Sequence, residues 1–162
     1  NTKKIIMRLS KNFVLSEITR SNTAKRLGIS NEPKKEHLKN LQRIITDIIQ
    51  PMRDDIGPIR ISSGYRSPSL NRAISGSNKS QHTKGQALDL QFWKEGKMCN
   101  KEVYDWVLEN DVEFDQMINE FDFSWVHLSL KESKNRKQVL IAYKDEDNDT
   151  KYKYAPEDLP SV

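Results

Sequence analysis

The sequence predicts an α+β domain in which helices pack on one face of a small, mainly antiparallel sheet. Three observations predict this class. One long segment repeats apolar residues at the three-and-four spacing of a helix, whereas several short segments alternate apolar and polar residues as strands do. Two of those short segments are separated by only a short turn, which favours an antiparallel hairpin. A chain of 162 residues also fits one domain with a substantial core.

The clearest helix is predicted from about Pro33 to Asp55. Asn31 is a plausible cap and Pro33 lies in the first turn, while Pro51 is expected to kink or end the helix because it lacks a backbone donor. A second helix is predicted after Asn100 as its cap. The predicted buried face of the long helix consists of Leu38, Leu41, Ile44, Ile45, Ile48, Ile49 and Met52.

Strands are predicted where short segments alternate or are rich in β-formers, at 59–62, 86–92, 114–120, 125–130 and 138–143. Short helical pieces are predicted within 13–28 and at 69–74. The predicted limits of the main domain are 9–143. Residues 1–8 are then an N-terminal extension, and 144–162 form a charged tail expected to be mobile or loosely docked, because it contains few apolar residues.

The composition of the chain bears on whether the protein enters a membrane and on what it binds. No segment approaches the roughly 20 apolar residues that cross a bilayer, so we expect no membrane insertion. Asn1–Met7 is basic but lacks a following apolar run and a cleavage site, so we expect no signal peptide.

The net charge of +4 suits an anionic partner, but no basic patch with interleaved aromatic residues indicates nucleic acid. Cys99 is the only cysteine, which leaves no intramolecular disulfide.

Only three histidines are present: His37, His82 and His127. His37 falls in the polar start of the long helix and is predicted to be solvated. His82 lies in a polar loop, and Asp89 lies in the following strand on the same face as Ala87. A buried, inward-facing aspartate is costly unless it is paired or bound to a metal.

His127 shares a strand face with Trp125 and Ser129, as the alternation around it indicates. If its strand neighbours that of Asp89, the two side chains can converge, with His82 reaching them from the loop. Two histidines and one carboxylate would leave one tetrahedral position free, as in a catalytic zinc site lying in a cleft. The spacing alone favours a chance scatter of these residues over a metal site.

Four motifs resemble a known family. They are the opening Leu9-Ser10-Lys11-Asn12-Phe13 with Leu15-Ser16-Glu17, the loop Ile61–Pro68 with Ser63-Gly64-Tyr65-Arg66, the phrase Ser80-x-His82-x-x-Gly85-x-Ala87-x-Asp89, and Trp125-Val126-His127-x-Ser129. In this order they resemble the zinc D-Ala-D-Ala carboxypeptidase family. The opening is similar to its compact phage-type branch, which includes endolysins that cut L-Ala-D-Glu bonds. The resemblance covers about residues 9–130.

The resemblance implies a role for each site residue. His82, Asp89 and His127 would bind one Zn²⁺, and Arg66 would hold a substrate carboxylate. Ser80 would bind substrate or, equally well, shape its loop. Many relatives carry an acid three positions before the last histidine, where this chain has Ser124. The implied general base is therefore Glu120, with Asp122 as the second choice.

The resemblance also implies a substrate and a setting. The expected substrate is the peptide part of peptidoglycan, cut by a monomeric enzyme that is made in the cytoplasm and released to the wall in a phage or prophage context. The absence of an acid at Ser124 supports an alternative. In that alternative, the chain is a zinc-containing module that binds the wall without cleaving it.

Overall fold

The computed structural model describes residues 6–156. Its main feature is a seven-stranded sheet in the order β3-β4-β7-β6-β8-β9, with β5 paired to β4. Every pair in this sheet is antiparallel except β6–β8. The strands, including a separate two-stranded sheet of β1 and β2, are β1 (Arg8–Ser10), β2 (Phe13–Val14), β3 (Ile59–Ser63), β4 (Ala87–Lys94), β5 (Lys97–Met98), β6 (Gln116–Glu120), β7 (Trp125–Ser129), β8 (Gln138–Lys144) and β9 (Thr150–Tyr154).

The described residues also form six α-helices: α1 (Leu15–Thr19), α2 (Asn22–Leu27), α3 (Lys35–Ile44), α4 (Gln50–Ile56), α5 (Pro68–Ala73) and α6 (Asn100–Glu109). The predicted α+β class is therefore confirmed. No helix within residues 6–156 has both the length and the apolar character needed to cross a membrane.

The long helix is confirmed, but Pro51 does not end it. A π-helical segment, Ile45–Ile49, joins α3 to α4, so the helical path continues to Ile56. In the wider turn the amide of Gln50 bonds to the carbonyl of Ile45. We attribute this widening to Pro51, which lacks a donor and whose ring crowds the preceding turn.

The predicted cap Asn31 is wrong, because its side chain connects distant loops. Its amide donates to the carbonyls of Thr19 (2.8 Å) and Tyr65 (3.0 Å), and its oxygen accepts from the Ser67 amide (2.7 Å). Lys34 occupies the cap position of α3 instead. These contacts lie far away in sequence, so local cap preference could not reveal them.

The prediction that Asn100 caps the second helix is also wrong. Cys99 holds the cap position, and the buried Asn100 is the first helical residue. Its oxygen accepts from the Phe92 amide at 2.7 Å, and its nitrogen donates to the carbonyls of Phe123 and Ser124. Asn100 thus ties α6 to β4 and to the turn after β6.

The core occupies one face of the sheet. Buried strand residues on this face form a single apolar cluster with the long helix and α6. Each such fully buried side chain stabilises the fold by roughly 1.5–3 kcal/mol. The opposite face is therefore free to carry polar groups. The core-facing strand residues include Leu88, Leu90, Met117, Val126, Leu128 and Val139.

The expectation of a loosely docked tail is wrong for the part of the tail that the structure describes. Strand β9 pairs with β8 along its whole length, from Thr150 opposite Lys144 to Tyr154 opposite Leu140. At the other end, Arg8 of the predicted extension belongs to β1. Residues 1–5 of the predicted extension and 157–162 of the predicted tail lie outside the described residues.

Candidate metal centre

The structure brings His82, Asp89 and His127 together on the open face of the sheet. Asp89 and His127 are direct register partners on β4 and β7. His82 comes from a short 3₁₀ helix, Gln81–Lys84, that precedes β4. One Asp89 oxygen, Oδ1, lies 3.3 Å from His82 Nε2 and 3.1 Å from His127 Nδ1. The three candidate donor atoms lie within 4.8 Å of one another.

Local backbone geometry places the His82 side chain. The Ser80 hydroxyl accepts from the His82 amide, and Gly85 ends the 3₁₀ helix with a φ of 70° that disfavours other residues. The imidazole Nδ1 lies 2.8 Å from the Gly64 carbonyl, which accepts only if that nitrogen carries the proton. The lone pair of Nε2 then faces Asp89, the arrangement that an oriented metal ligand requires.

Electrostatics favour a neutral histidine beside an ionised aspartate. Burial lowers the pKa of His82 below its usual value, although Asp89 opposes that effect. Burial alone would raise the pKa of Asp89, but its neighbours His82 and His127 bring it well below the usual range. A neutral imidazole and a carboxylate are the protonation states that bind a metal.

This donor set fits zinc. Two imidazole nitrogens and one carboxylate oxygen are its usual ligands in catalytic sites, where a fourth position stays open. The hydrogen bond from His82 to the Gly64 carbonyl supplies the outer support that such ligands need. The buried Asp89 carboxylate has no lysine or arginine ion pair among residues 6–156, so a cation would compensate its burial.

The two candidate bases occupy different surroundings. Glu120 ends β6 on the open face of the sheet and lines the same cleft as the three ligand candidates, with only 9% of its surface exposed. Asp122 is exposed, in a turn whose residues 121–123 all have positive φ, and does not line the cleft. Ser124 is also exposed, and its hydroxyl donates to the Phe121 carbonyl.

Glu120 lies diagonally from His127 and not directly opposite it. The register pairs Glu120 with Trp125 and Ile118 with His127, because the connecting turn occupies four residues. Diagonal neighbours on one face are within reach of long side chains. Burial raises the pKa of Glu120 to about 7, while His127 lowers it and Asp89 raises it.

Arg66 lines the same cleft from the loop after β3. Its Nη1 donates to Asn71 Oδ1 at 3.2 Å, and its buried Nε has no hydrogen-bond partner. Burial lowers the pKa of Arg66, but guanidinium remains charged in proteins. An incompletely satisfied guanidinium in a cleft can receive a carboxylate.

Ser80 lines the cleft, but its contacts are those of a loop-shaping residue. Its hydroxyl accepts a hydrogen bond from the His82 amide, and its carbonyl accepts one from the Thr83 hydroxyl.

The prediction that His37 is solvated is wrong. Its side chain is only 14% exposed and packs against Tyr65, with the ring centroids 5.3 Å apart.

One open cleft of about 880 Å³ is lined by Arg66, Ser80, Glu120 and the three ligand candidates, His82, Asp89 and His127. The sequence interpretation missed Asp115, which is fully buried at its wall. Asp115 accepts from Arg136 at 2.8 Å and from Gln81 at 3.1 Å, so it connects the 3₁₀ helix to the segment before β8. Burial would raise its pKa, but Arg136 dominates and lowers it to about 2. In the sequence, the only indication of this role was a single aspartate at the start of a predicted strand.

The interpretation also missed Tyr152 on β9, which lines the cleft. Its signal was the alternation of Thr150, Tyr152 and Tyr154 with two lysines inside the charged tail.

Comparison with known proteins gives one family. The sequence model described as Peptidase M15 matches residues 11–129, which include all three metal-ligand candidates, Arg66 and Glu120. No individual curated protein matches the chain significantly. Since the family match spans well over half of the chain, the protein belongs to the Peptidase M15 family.

Proposed function

We propose that the protein is a zinc-dependent peptidase that hydrolyses stem-peptide bonds of bacterial peptidoglycan. Family membership makes the chain a hydrolase of the metallopeptidase class. The observation that carries the proposal is the convergence of His82, Asp89 and His127 beside the buried Glu120 in one cleft. His82 Nε2, an Asp89 oxygen and His127 Nδ1 would hold the metal.

The chain supplies the proton acceptor for hydrolysis. When bound, zinc would supply a Lewis acid that polarises the scissile carbonyl and makes water easier to deprotonate. Glu120 accepts the proton of the water that adds to the carbonyl carbon. It then passes that proton to the amine as the C–N bond breaks.

The pKa of Glu120 suits this role. A base works best when its pKa lies near the working pH, and burial raises that of Glu120 to about 7. A divalent cation nearby would lower this pKa because it favours the carboxylate. We therefore expect activity to rise with pH, with a midpoint at or below about 7, as Glu120 loses its proton.

Arg66 is the proposed carboxylate receptor. It stands in the loop after β3, and its buried Nε lacks a partner. Lys79, Lys84 and Lys131 also line the cleft and add positive charge. This charge suits stem peptides, which carry terminal and side-chain carboxylates.

The finer parts of the proposal rest on the motif resemblance. The opening Leu9–Phe13 segment supports the phage-type branch, and with it a monomer released to the wall from the cytoplasm. The resemblance is compatible with both terminal D-Ala removal and cleavage within the stem. We also propose 9–143 as the limits of the peptidase domain, with β9 as an added edge strand.

The test is turnover of purified peptidoglycan by the zinc-loaded protein, with products identified by mass spectrometry. Glu120→Gln preserves the shape of the side chain but removes its basicity, so activity should fall roughly 10²–10⁴-fold. Its zinc content and melting temperature should match those of the parent. Asp122→Asn is the matched control in the adjacent turn and should lose far less.

Two outcomes would overturn parts of the proposal. A reversed ranking of the two variants would transfer the base to Asp122. A parent protein that holds zinc and binds the wall but releases no peptide would instead establish the non-catalytic wall-binding module.

A further inference from the structure

Strand β9 contributes to the cleft although it lies outside the family match. The match ends at residue 129, whereas Thr150 and Tyr152 of β9 both line the cleft. The edge position of β9 explains how it reaches there. The sheet runs from β3, which leads to Arg66, through the ligand-bearing β4 and β7 to β9 at the opposite edge.

The strand register places Tyr152 on the same face of the sheet as Glu120. Trp125, Glu120, Ala142 and Tyr152 are successive cross-strand partners on β7, β6, β8 and β9. Side chains in such a row project from the same face of the sheet. The methyl group of Ala142 leaves a gap, so the Tyr152 ring can extend over it toward Glu120.

Two further observations support this orientation. Burial raises the pKa of the Tyr152 hydroxyl, and the nearby charge of Glu120 raises it further. The side chain is nevertheless 55% exposed, so much of the ring is available to a ligand. Phe121 and Trp125, whose ring centroids lie 5.5 Å apart in an edge-to-face contact, also line the cleft.

We propose that Tyr152 contacts the substrate on the side of the scissile bond away from Arg66, and so selects peptides that extend in that direction. This inference rests on the proposed peptidase function. A substrate anchored at Arg66 and crossing the metal-ligand candidates continues toward β9 because the cleft leads there. The exposed ring then packs on the peptide, and the hydroxyl can hydrogen-bond to its amides.

The test compares two stem peptides that share the cleaved bond but differ in length on the side away from Arg66. For the longer peptide, Tyr152→Ala should raise KM about 3- to 10-fold with kcat nearly unchanged. For the shorter peptide it should change neither constant. Tyr152→Phe retains the ring and should restore most of the lost affinity.

Tyr143→Ala is the matched control, because Tyr143 lies on the adjacent β8 but its ring faces away, under the ammonium group of Lys153. It should leave both peptides unaffected. Equal effects of Tyr152→Ala on the two peptides, or no effect on either, would overturn the proposal.

A binding measurement separates this inference from the proposed function. Calorimetry of the zinc-loaded Glu120→Gln protein needs no turnover. If the parent hydrolyses neither peptide, the proposed function fails. Weaker binding of the longer peptide alone in the Glu120→Gln, Tyr152→Ala double variant would still support the contact, and unchanged binding would refute it.

Discussion

At the residue scale, Arg66 is partly buried, and one of its guanidinium nitrogens lacks a hydrogen-bond acceptor. Its Nη1 bonds to Asn71, but its Nε has no hydrogen-bond partner, and the charge of Asp89 favours the guanidinium without an ion pair between the two. A group in this state costs free energy until a ligand satisfies it. The position therefore suits binding better than structural support.

We predict that Arg66→Ala lowers kcat/KM about 10- to 100-fold, since hydrogen bonds to charged groups contribute roughly 1.5–3 kcal/mol. Arg66→Lys should recover only part of this loss, because an ammonium group cannot form the bidentate hydrogen bond that a guanidinium makes with a carboxylate. The melting temperature should stay near that of the parent. Kinetics on a defined stem peptide measure the effect.

Arg72→Ala provides the comparison, since Arg72 is an exposed arginine on α5. It should behave like the parent. Parent-like kinetics in Arg66→Ala would contradict the carboxylate role, whereas a large fall in its melting temperature would assign the residue to structure.

At the scale of elements, the 3₁₀ helix carrying His82 depends on close packing against α3. Gly85 ends this helix at a φ of 70°, and a Cβ there would lie 2.5 Å from the His37 carbonyl oxygen. Asn40 of α3 donates to the Lys84 carbonyl at 2.9 Å, which fixes the same contact. Contacts of α3 with the backbone of the 3₁₀ helix thus position His82.

Gly85→Ala should therefore destabilise the protein by about 2 kcal/mol or more and weaken zinc binding, because both the backbone conformation and the contact with His37 must change. Thermal unfolding and zinc titration are the measurements. Gly96→Ala is a close control: Gly96 has a similar φ of 76°, but a Cβ there meets nothing within 4 Å. Equal costs in the two variants would show that the contact with α3 is unimportant.

At the scale of the whole molecule, the candidate metal centre joins separate parts of the chain. Its residues come from the 3₁₀ helix, β4 and β7, and His82 also bonds to the loop after β3. Within this cluster Asp89 is buried with two histidines but no lysine or arginine. A bound cation would therefore stabilise the assembled fold relative to the unfolded chain.

We predict that removing zinc with a chelator lowers the melting temperature. A ligand at 1,000 times its Kd stabilises a protein by about 4 kcal/mol. Calorimetry with and without the chelator, with zinc loss verified by metal analysis, measures this shift. His127→Ala should bind little zinc and show no further shift with the chelator. An unchanged melting temperature in the zinc-free parent would contradict the prediction.

Local periodicity accounts for much of what could be predicted. The spacing of apolar residues predicted the long helix. Alternation or richness in β-formers predicted the five strands, and alternation predicted the shared face of Trp125, His127 and Ser129. Both patterns are properties of neighbouring residues, because helices and strands repeat over a few positions. The motif phrases likewise singled out residues that the structure gathers into one cleft, namely Arg66, Ser80, His82, Asp89 and His127.

The remaining features depend on residues far away in sequence. Long-range partners explain why Asn31 and Asn100 do not act as caps. Pairing with β8 turns a charged segment into β9 and brings Tyr152 to the cleft. The sequence alone thus determined the long helix, the five predicted strands and the candidate chemistry. Only the tertiary structure decided which side chains meet, because strand register and burial arise from contacts across the whole chain.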